Sequence, residues 1–146
     1  MHKDFYASGF LYHGPTEQIL LQQKTKTQDS SPGWSLFGGM GTSKHNPQLI
    51  FQRIVNKLLK IKLKTNVIEP VYVYFNKDMD KDHHIVYATI KTPKKFSPKN
   101  GVIFSWFTFR QVIKLKLDEQ TKHDIVVAQR VIASKTRKRL GQHTLE

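Results

Sequence analysis

A glycine-rich turn followed by an amphipathic helix holds the residues of this chain that are best placed for phosphate chemistry. Gly38 and Gly39 allow a ligand to approach the backbone closely, and Pro47 marks the predicted start of the helix. A helix N-terminus offers unpaired N–H groups and the positive end of the helix dipole to an anion. Arg53 and Lys57 follow on one helix face, yet the helix contains no acidic residue. The layout therefore suits phosphate binding and lacks carboxylates that could hold a metal ion.

The sequence leaves two interpretations of Arg53 and Lys57 open. Like charges four residues apart repel by about a few tenths of a kcal/mol on an isolated helix. Full solvation makes that cost tolerable, and both side chains then simply face water. In the other interpretation both cations face a cleft and bind phosphate, with Lys57 standing where a metal ion would otherwise lie.

A second cluster of polar residues is the densest candidate for a metal site: Asp78, Asp80, Asp82, His83 and His84. Its beginning resembles an EF-hand loop, but the sixth position is His83 instead of Gly and the twelfth is Thr89 instead of Glu. We therefore predict a polar hairpin tip. This tip, or Glu69, could still supply a relocated metal ligand.

Tyr72 and Tyr74 lie in a run of aromatic and β-branched residues interleaved with polar ones. A ligand base could stack on either ring, as on a nucleotide-binding surface. Strand alternation sends about half of such side chains into the core, so packing is the alternative role. The chain has no cysteine and no G-x-S-x-G elbow, which argues against thiolate zinc sites, disulfides and nucleophilic acyl chemistry.

The elements that must position these residues can be predicted from hydrophobic periodicity. Apolar and β-branched runs predict strands at residues 5–12, 18–24, 66–76, 84–91 and 103–109. Asn46 is the predicted N-cap of the central helix, and Pro70 predicts an edge position or a bulge. Residues 110–140 have a helical pattern that ends in the basic run at residues 135–139. Together these elements predict one α+β domain.

This order of elements resembles that of the Nudix (MutT-like) hydrolases over roughly residues 5–132. The family signature is a Gly, five residues, a Glu, seven residues, then Arg-Glu-aliphatic-any-Glu-Glu-any-Gly-aliphatic. Gly39 falls on the opening glycine, Arg53 on the arginine, and Val55 and Ile61 on the aliphatic positions. Trp34 and the segment SWFTF also resemble the family. The resemblance implies an α/β/α Nudix sandwich with a mixed β-sheet.

The chain departs from this signature at its acids. The glutamate positions hold His45, Ile54, Lys57 and Leu58, and Lys60 replaces the late glycine. In the family those glutamates hold divalent cations, usually Mg²⁺, which polarise the diphosphate. Mg²⁺ requires hard oxygen ligands, which these four side chains do not offer. The resemblance therefore implies a nucleotide or nucleoside-diphosphate-like ligand that is bound but hydrolysed weakly or not at all. The implied binding residues are Gly38, Gly39, Arg53, Lys57, Tyr72 and Tyr74.

Two other functions remain open from the sequence. One is an active Nudix hydrolase whose Mg²⁺ ligands lie outside the signature. The other is a nucleic-acid-binding or assembly protein, because 24 Lys and Arg against 11 Asp and Glu give a formal charge of +13 that attracts polyanions. A lysine-rich solubilising surface is the simpler explanation of that charge.

The 146 residues are expected to form a single domain with a basic C-terminal tail at about residues 135–146. The final Leu145-Glu146 is compatible with a tag remnant. No apolar run approaches the ~20 residues needed to span a bilayer, and the N-terminus is charged where an export signal is apolar. We therefore expect a cytoplasmic protein that does not bind membranes. The ligand and the oligomeric state stay open.

Overall fold

The computed structural model describes residues 4–24 and 33–145, without the side chains of residues 142–145. Seven strands and three α-helices make up this part of the chain. The strands are β1 (Phe5–His13), β2 (Gln18–Lys24), β3 (Trp34–Ser35), β4 (Phe37–Gly41), β5 (Ile68–Asn76), β6 (Lys81–Thr89) and β7 (Val102–Thr108). The helices are α1 (Pro47–Leu59), α2 (Phe109–Val112) and α3 (Glu119–Leu145), with a short 3₁₀ helix at Thr65–Val67.

The strands form one mixed sheet in which β1 is central. β1 pairs in parallel with β6 along one edge, and its other edge is shared by β4 and β2, both antiparallel. β2 also pairs with β3 and β7, while β5 pairs only with β6 among the described strands. The register of β5 shifts between Pro70 and Tyr72, which confirms the predicted edge or bulge at Pro70. The expected mixed sheet with helices is confirmed.

Alternation along the strands divides the core into two layers, one on each face of the sheet. The layer on the α3 face contains Phe10, Ile19, Leu21, Ile85, Ile125 and Ile132. The layer on the α1 face contains Leu11, Leu20, Phe51, Val55 and Val86. Consecutive residues such as Phe10 and Leu11 therefore point to opposite helices.

Helix α1 begins and ends as local sequence signals dictate. The Asn46 side chain accepts a hydrogen bond from the backbone N–H of Leu49 at 2.8 Å, and Pro47 occupies the first turn. The helix ends at Lys60, whose φ of 56° and ψ of 45° place it in the left-handed region. The predicted N-cap and first helical residue are thus confirmed.

The C-terminal part of the chain differs from the single helical stretch expected over residues 110–140. Thr108 and Gln111 form a capping box that starts the short α2. Asp118 accepts a hydrogen bond from the backbone N–H of Thr121 at 2.7 Å and so starts α3 separately. The basic run at residues 135–139 lies within α3, and the terminal Glu146 lies outside the described residues. No described helix is both long enough and apolar enough to span a membrane.

Candidate functional site

Strand β4 separates two surfaces, because its two adjacent glycines face opposite sides of the sheet. A Cβ built on Gly38 would lie 2.7 Å from the hydroxyl of Tyr6 and 2.8 Å from Cβ of Ser8. A Cβ built on Gly39 would lie 2.5 Å from Cδ1 of Ile54 on α1. Close packing thus accounts for glycine at both positions, in addition to the ligand approach expected from the sequence.

The α1 side of β4 contains the positions of the Nudix signature. Ile54 is half-buried and packs against both Ile50 and the α1-side core, whereas the side chains of Arg53 and Lys57 are exposed. Nε2 of His45 lies 3.5 Å from Nη1 of Arg53. The exposure of Arg53 and Lys57 is compatible with both predicted roles, solvation in water and binding of phosphate.

The two neighbours of His45 indicate which ring nitrogen donates and which accepts. Its Nδ1 lies 3.0 Å from Oγ1 of Thr42, and its Nε2 faces the guanidinium of Arg53, which can only donate. The arrangement is satisfied when Nδ1–H donates to Thr42 and Nε2 accepts from Arg53. In that tautomer the ring nitrogen nearest Arg53 is the acceptor.

The backbone at Lys60 supports the alignment with the signature independently of the acids. Lys60 stands at the late glycine of the signature, and it adopts the left-handed conformation that glycine adopts without strain. Lysine therefore occupies a backbone position that glycine would favour.

The residues at the signature positions do not fit a divalent cation. Ile54 is packed into the contact with Gly39, Leu58 packs against the α1-side core, and Lys57 adds a positive charge. His45 offers one nitrogen, which is directed at Arg53. Hard cations need several oxygen ligands, so this donor set cannot hold Mg²⁺.

The alternative metal ligands predicted from sequence are not assembled either. In residues 4–24 and 33–141, no three His, Asp or Glu side chains are grouped closely enough to hold a metal ion. Glu69 forms an ion pair with Lys135, with 3.0 Å between Oε2 and Nζ. Asp78 and Asp80 lie in the exposed turn between β5 and β6. The turn is thus the polar hairpin tip expected from its composition.

The other side of β4 contains a polar cleft of about 220 Å³ between the sheet and the beginning of α3. Its lining comes from β1, β3, β5, β6 and α3, and includes Tyr6, Ser8, Ser35, Tyr74, Asn76, His83, Asp118, Gln120, Thr121 and Asp124. The carboxyl, imidazole, phenol and hydroxyl groups converge here from segments up to 118 residues apart, as Tyr6 and Asp124 illustrate. This is the polar cavity that a ligand with several hydrogen-bonding groups needs.

One hydrogen-bonded chain of the cleft runs from β5 through β6 to β1. The Tyr74 hydroxyl lies 2.7 Å from Nδ1 of His83, and Nε2 of His83 lies 2.7 Å from Oγ of Ser8. Burial, and secondarily the nearby His84, lowers the pKa of His83 to about 4. Burial is also the main reason that the pKa of Tyr74 is raised to about 12. At neutral pH the imidazole is uncharged and the phenol keeps its proton.

A second chain connects β5 with α3. Tyr72 donates to Oδ1 of Asp124 at 2.5 Å, and Nε2 of Gln120 donates to the same oxygen at 2.9 Å. Asp124 is only 2% exposed, and this burial raises the pKa of its carboxyl above the usual value. The two donors hold a buried acid in a fixed orientation at the floor of the cleft.

The structure brings some of the predicted site residues together and separates others. The rings of Tyr72 and Tyr74 lie 5.6 Å apart on the α3 face, and their hydroxyls are engaged by Asp124 and His83. Arg53 belongs to α1, which packs on the opposite face of the sheet. The candidate site therefore has two parts, with Gly38 and Gly39 of β4 between them.

Sequence reasoning missed the cleft residues Ser8, Gln120 and Asp124, and assigned His83 to a hairpin tip. Two signals point to them in retrospect. Ser8 is a small polar residue inside an apolar strand, and Asp124 interrupts the apolar stripe of α3 immediately before the buried Ile125. A buried polar residue must find a partner, so both positions predict a polar cluster.

Solved structures with this arrangement are numerous, and three illustrate it. A mutT/nudix family protein from Listeria innocua superposes with a TM-score of 0.71 at 12% identity, over 92% of this chain and 96% of that one. MutT, from work on Aliivibrio salmonicida and Vibrio cholerae, gives a TM-score of 0.68 at 14% identity, over 90% and 98%. The chain has the Nudix fold. The NUDIX domain of Shewanella oneidensis NrtR, complexed with ADP ribose, matches with a TM-score of 0.66 at 12% identity, over 88% and 87%.

No protein-family model and no curated protein matches the sequence. The likeness to the Nudix fold therefore resides in the arrangement of strands and helices, at identities of 10% to 18% for the structures compared.

Proposed function

We propose that this Nudix-fold chain is a member of the Nudix superfamily that binds a nucleotide or nucleoside-diphosphate-like molecule and hydrolyses it weakly or not at all. One observation carries the proposal: an organised polar cleft is present, whereas the signature positions hold side chains that cannot ligate Mg²⁺. Binding and metal-assisted cleavage require different residues, so the loss of metal ligands is compatible with retained binding.

The cleft suits the nucleoside part of the ligand. Its volume of about 220 Å³ is below the roughly 300–1,000 Å³ of pockets that enclose a complete small molecule. It can therefore take one end of a nucleotide, with the remainder outside. Ser8 and Asp124 offer hydrogen-bonding groups in fixed orientations, which suit the edge of a base or a ribose, and His83 holds Ser8 in place.

Arg53 and Lys57 suit the phosphates. Both are exposed, both lie on α1, and neither has an acidic residue on its own helix. Guanidinium and ammonium groups bind phosphate oxygens through charge-assisted hydrogen bonds. In the proposed complex the phosphates pass along β4 at Gly38 and Gly39, from the cleft toward the two cations.

A neighbour with the same fold supports the class of ligand. The NUDIX domain of NrtR is known as a complex with ADP ribose, a molecule that has a base, riboses and a diphosphate. The proposal extends such a ligand to this chain because its cleft and cations offer complementary chemistry.

Calorimetric titration with ADP and ADP ribose, with EDTA present, tests binding without metal. We expect Lys57→Glu and Arg53→Glu each to weaken binding by about 10- to 100-fold, the usual size of a lost charge-assisted contact. Lys77→Glu is the matched control, because Lys77 is exposed and lies in the turn after β5. Equal affinities for wild type and both α1 variants would show that these cations do not bind phosphate.

Turnover assays separate this proposal from an active hydrolase with relocated ligands. Release of products from a nucleotide panel is measured with Mg²⁺, with Mn²⁺ and with EDTA. We expect the same low rate in all three conditions. A rate that rises strongly with metal and disappears with EDTA would establish the hydrolase and overturn the proposed loss of metal chemistry.

A further inference from the structure

Two lysine-rich segments that are distant in sequence meet at the C-terminal end of α1. Residues 57–64 and residues 91–99 contain four lysines each, which is eight of the 24 Lys and Arg of the chain, and neither segment contains an acid. Nζ of Lys99 donates to the backbone carbonyl of Lys57 at 3.0 Å, and Trp106 of β7 donates to the carbonyl of Lys94 at 2.9 Å. These two contacts anchor the second segment, and we call the combined area the lysine surface.

The lysine surface contains two adjacent cavities that share one aromatic wall. The first, of about 320 Å³, lies between the end of α1 and residues 95–99, and Lys60, Lys95 and Lys99 line it. The second, of about 240 Å³, lies between residues 61–63 and residues 90–96, and Lys62 and Lys94 line it. The half-buried Phe96 lines both cavities. Among the described residues, no acid lines either one.

The pairing of cavities favours a repeating anion over a single phosphate. One small anion needs one site, whereas the cations here continue from one cavity to the next around Phe96. Single-stranded nucleic acids present a phosphate on every nucleotide and an aromatic base between phosphates. Proteins bind such strands with basic grooves that follow the backbone and with aromatic rings that contact the bases.

The apolar residues of this area argue against a membrane as the partner. Leu59 and Leu63 are buried, and Leu58, Ile61 and Ile90 are half-buried. None of the large hydrophobic side chains that are exposed in the described residues belongs to the lysine surface. A peripheral membrane site combines basic residues with apolar side chains that insert into the lipid, and the second component is missing from this described area.

We propose that the lysine surface is a binding site for single-stranded nucleic acid, separate from the polar cleft. Lys60, Lys62, Lys94, Lys95 and Lys99 contact successive phosphates, and Phe96 contacts a base. The site recognises the phosphodiester backbone and therefore binds with little dependence on sequence.

Fluorescence anisotropy with labelled 12-nucleotide RNA and DNA strands tests this site over a series of salt concentrations. The triple variant Lys62→Glu, Lys94→Glu and Lys95→Glu removes three exposed lysines and leaves Arg53, Lys57 and the cleft intact. We expect its affinity to fall by about tenfold or more, and the slope of log K against log salt to become shallower by about 2. The triple variant Lys77→Glu, Lys114→Glu and Lys138→Glu is the matched control, since it changes the net charge equally at exposed positions elsewhere.

Each outcome bears on the proposal in a defined way. A loss confined to the first variant, with ADP binding unchanged, supports it and is independent of the proposed nucleotide site. Equal losses in both variants would show that only the net charge matters, and the site would be rejected. Binding to vesicles rich in anionic lipid without binding to the strands would also reject it.

Discussion

His45 and Arg53 face each other across the first two turns of α1, with 3.5 Å between Nε2 and Nη1. In the alignment proposed from the sequence, they fall on the first glutamate and the arginine of the Nudix signature. The contact shows that these two residues are neighbours in this chain, although His45 carries no carboxylate. A ring nitrogen of His45 faces the guanidinium where the signature has a carboxylate.

This contact predicts the effect of restoring the acid. His45→Glu should place a carboxylate beside Arg53 and stabilise the fold by about 0.2–1 kcal/mol, the range of exposed ion pairs. Urea unfolding at low salt measures the change. The gain should disappear in the background of Arg53→Gln, and a gain that persists there would show that the pair is not its source.

The contact between Gly39 and Ile54 predicts a packing defect that can be rescued. Gly39→Ala places a Cβ against Cδ1 of Ile54, the movable end of a half-buried side chain, and should destabilise the fold by no more than about 1 kcal/mol. Ile54→Val removes that Cδ1 and should cost about 0.5–1.5 kcal/mol alone. The double variant should be more stable than the sum of the two changes predicts. Strict additivity in chemical denaturation would contradict direct contact between them.

The left-handed backbone at Lys60 predicts that the glycine of the signature is more favourable there. Lys60→Gly should stabilise the chain by about 0.5–1 kcal/mol, because relief of strain exceeds the added entropy of the unfolded chain. Lys62→Gly is the control, since Lys62 is not among the residues with positive φ, and it should be neutral or destabilising. Thermal and urea unfolding of both variants provide the comparison.

His83 predicts a pH dependence of stability in the acid range. Its folded pKa of about 4 is below the unfolded value of 6.5, so the unfolded chain binds more protons between these values. Stability from this residue is fully present above pH 6.5 and is lost as the pH falls toward 4. The complete pKa shift, at about 1.4 kcal/mol per pKa unit, sets an upper limit to the loss of stability. Because the ring is partly exposed and screened by solvent, the expected loss is smaller, roughly 1–2 kcal/mol.

The contribution of His83 is isolated by difference. His83→Gln should show a smaller decrease in unfolding free energy between pH 6.5 and pH 4 than wild type, although its overall stability is lower. Denaturation at several pH values measures both curves. Parallel curves for the two proteins would mean that His83 does not titrate in this window.

Local elements were predictable because their signals are local. Asn46 and Pro47 start α1 through interactions within one helical turn, and Pro70 disturbs the strand in which it lies. The strand boundaries that differ from the prediction are those set by pairing with a neighbouring strand. β6 begins at Lys81, before the predicted residue 84, because it pairs with β5 as far as Asn76.

The candidate site was only partly predictable. The sequence identified Tyr72 and Tyr74, but not that Asp124 and His83 engage their hydroxyls. Those partners are 52 and 9 residues away, and the longer contact exists only because α3 packs across β5. The local sequence pattern of β5 or of α3 does not specify this contact between Tyr72 and Asp124.

The sequence by itself determined the helix, its caps and the absence of carboxylates at the signature positions, because these depend on residue identity and spacing over a few residues. Only the tertiary structure decided that Arg53 and Tyr72 lie on opposite faces of the sheet and that Ser8, His83 and Asp124 share a cleft. It also decided that two distant lysine segments meet at Lys57. The physical reason is that strand order and register, which arise from burial of the whole core, set contacts between residues far apart in the chain.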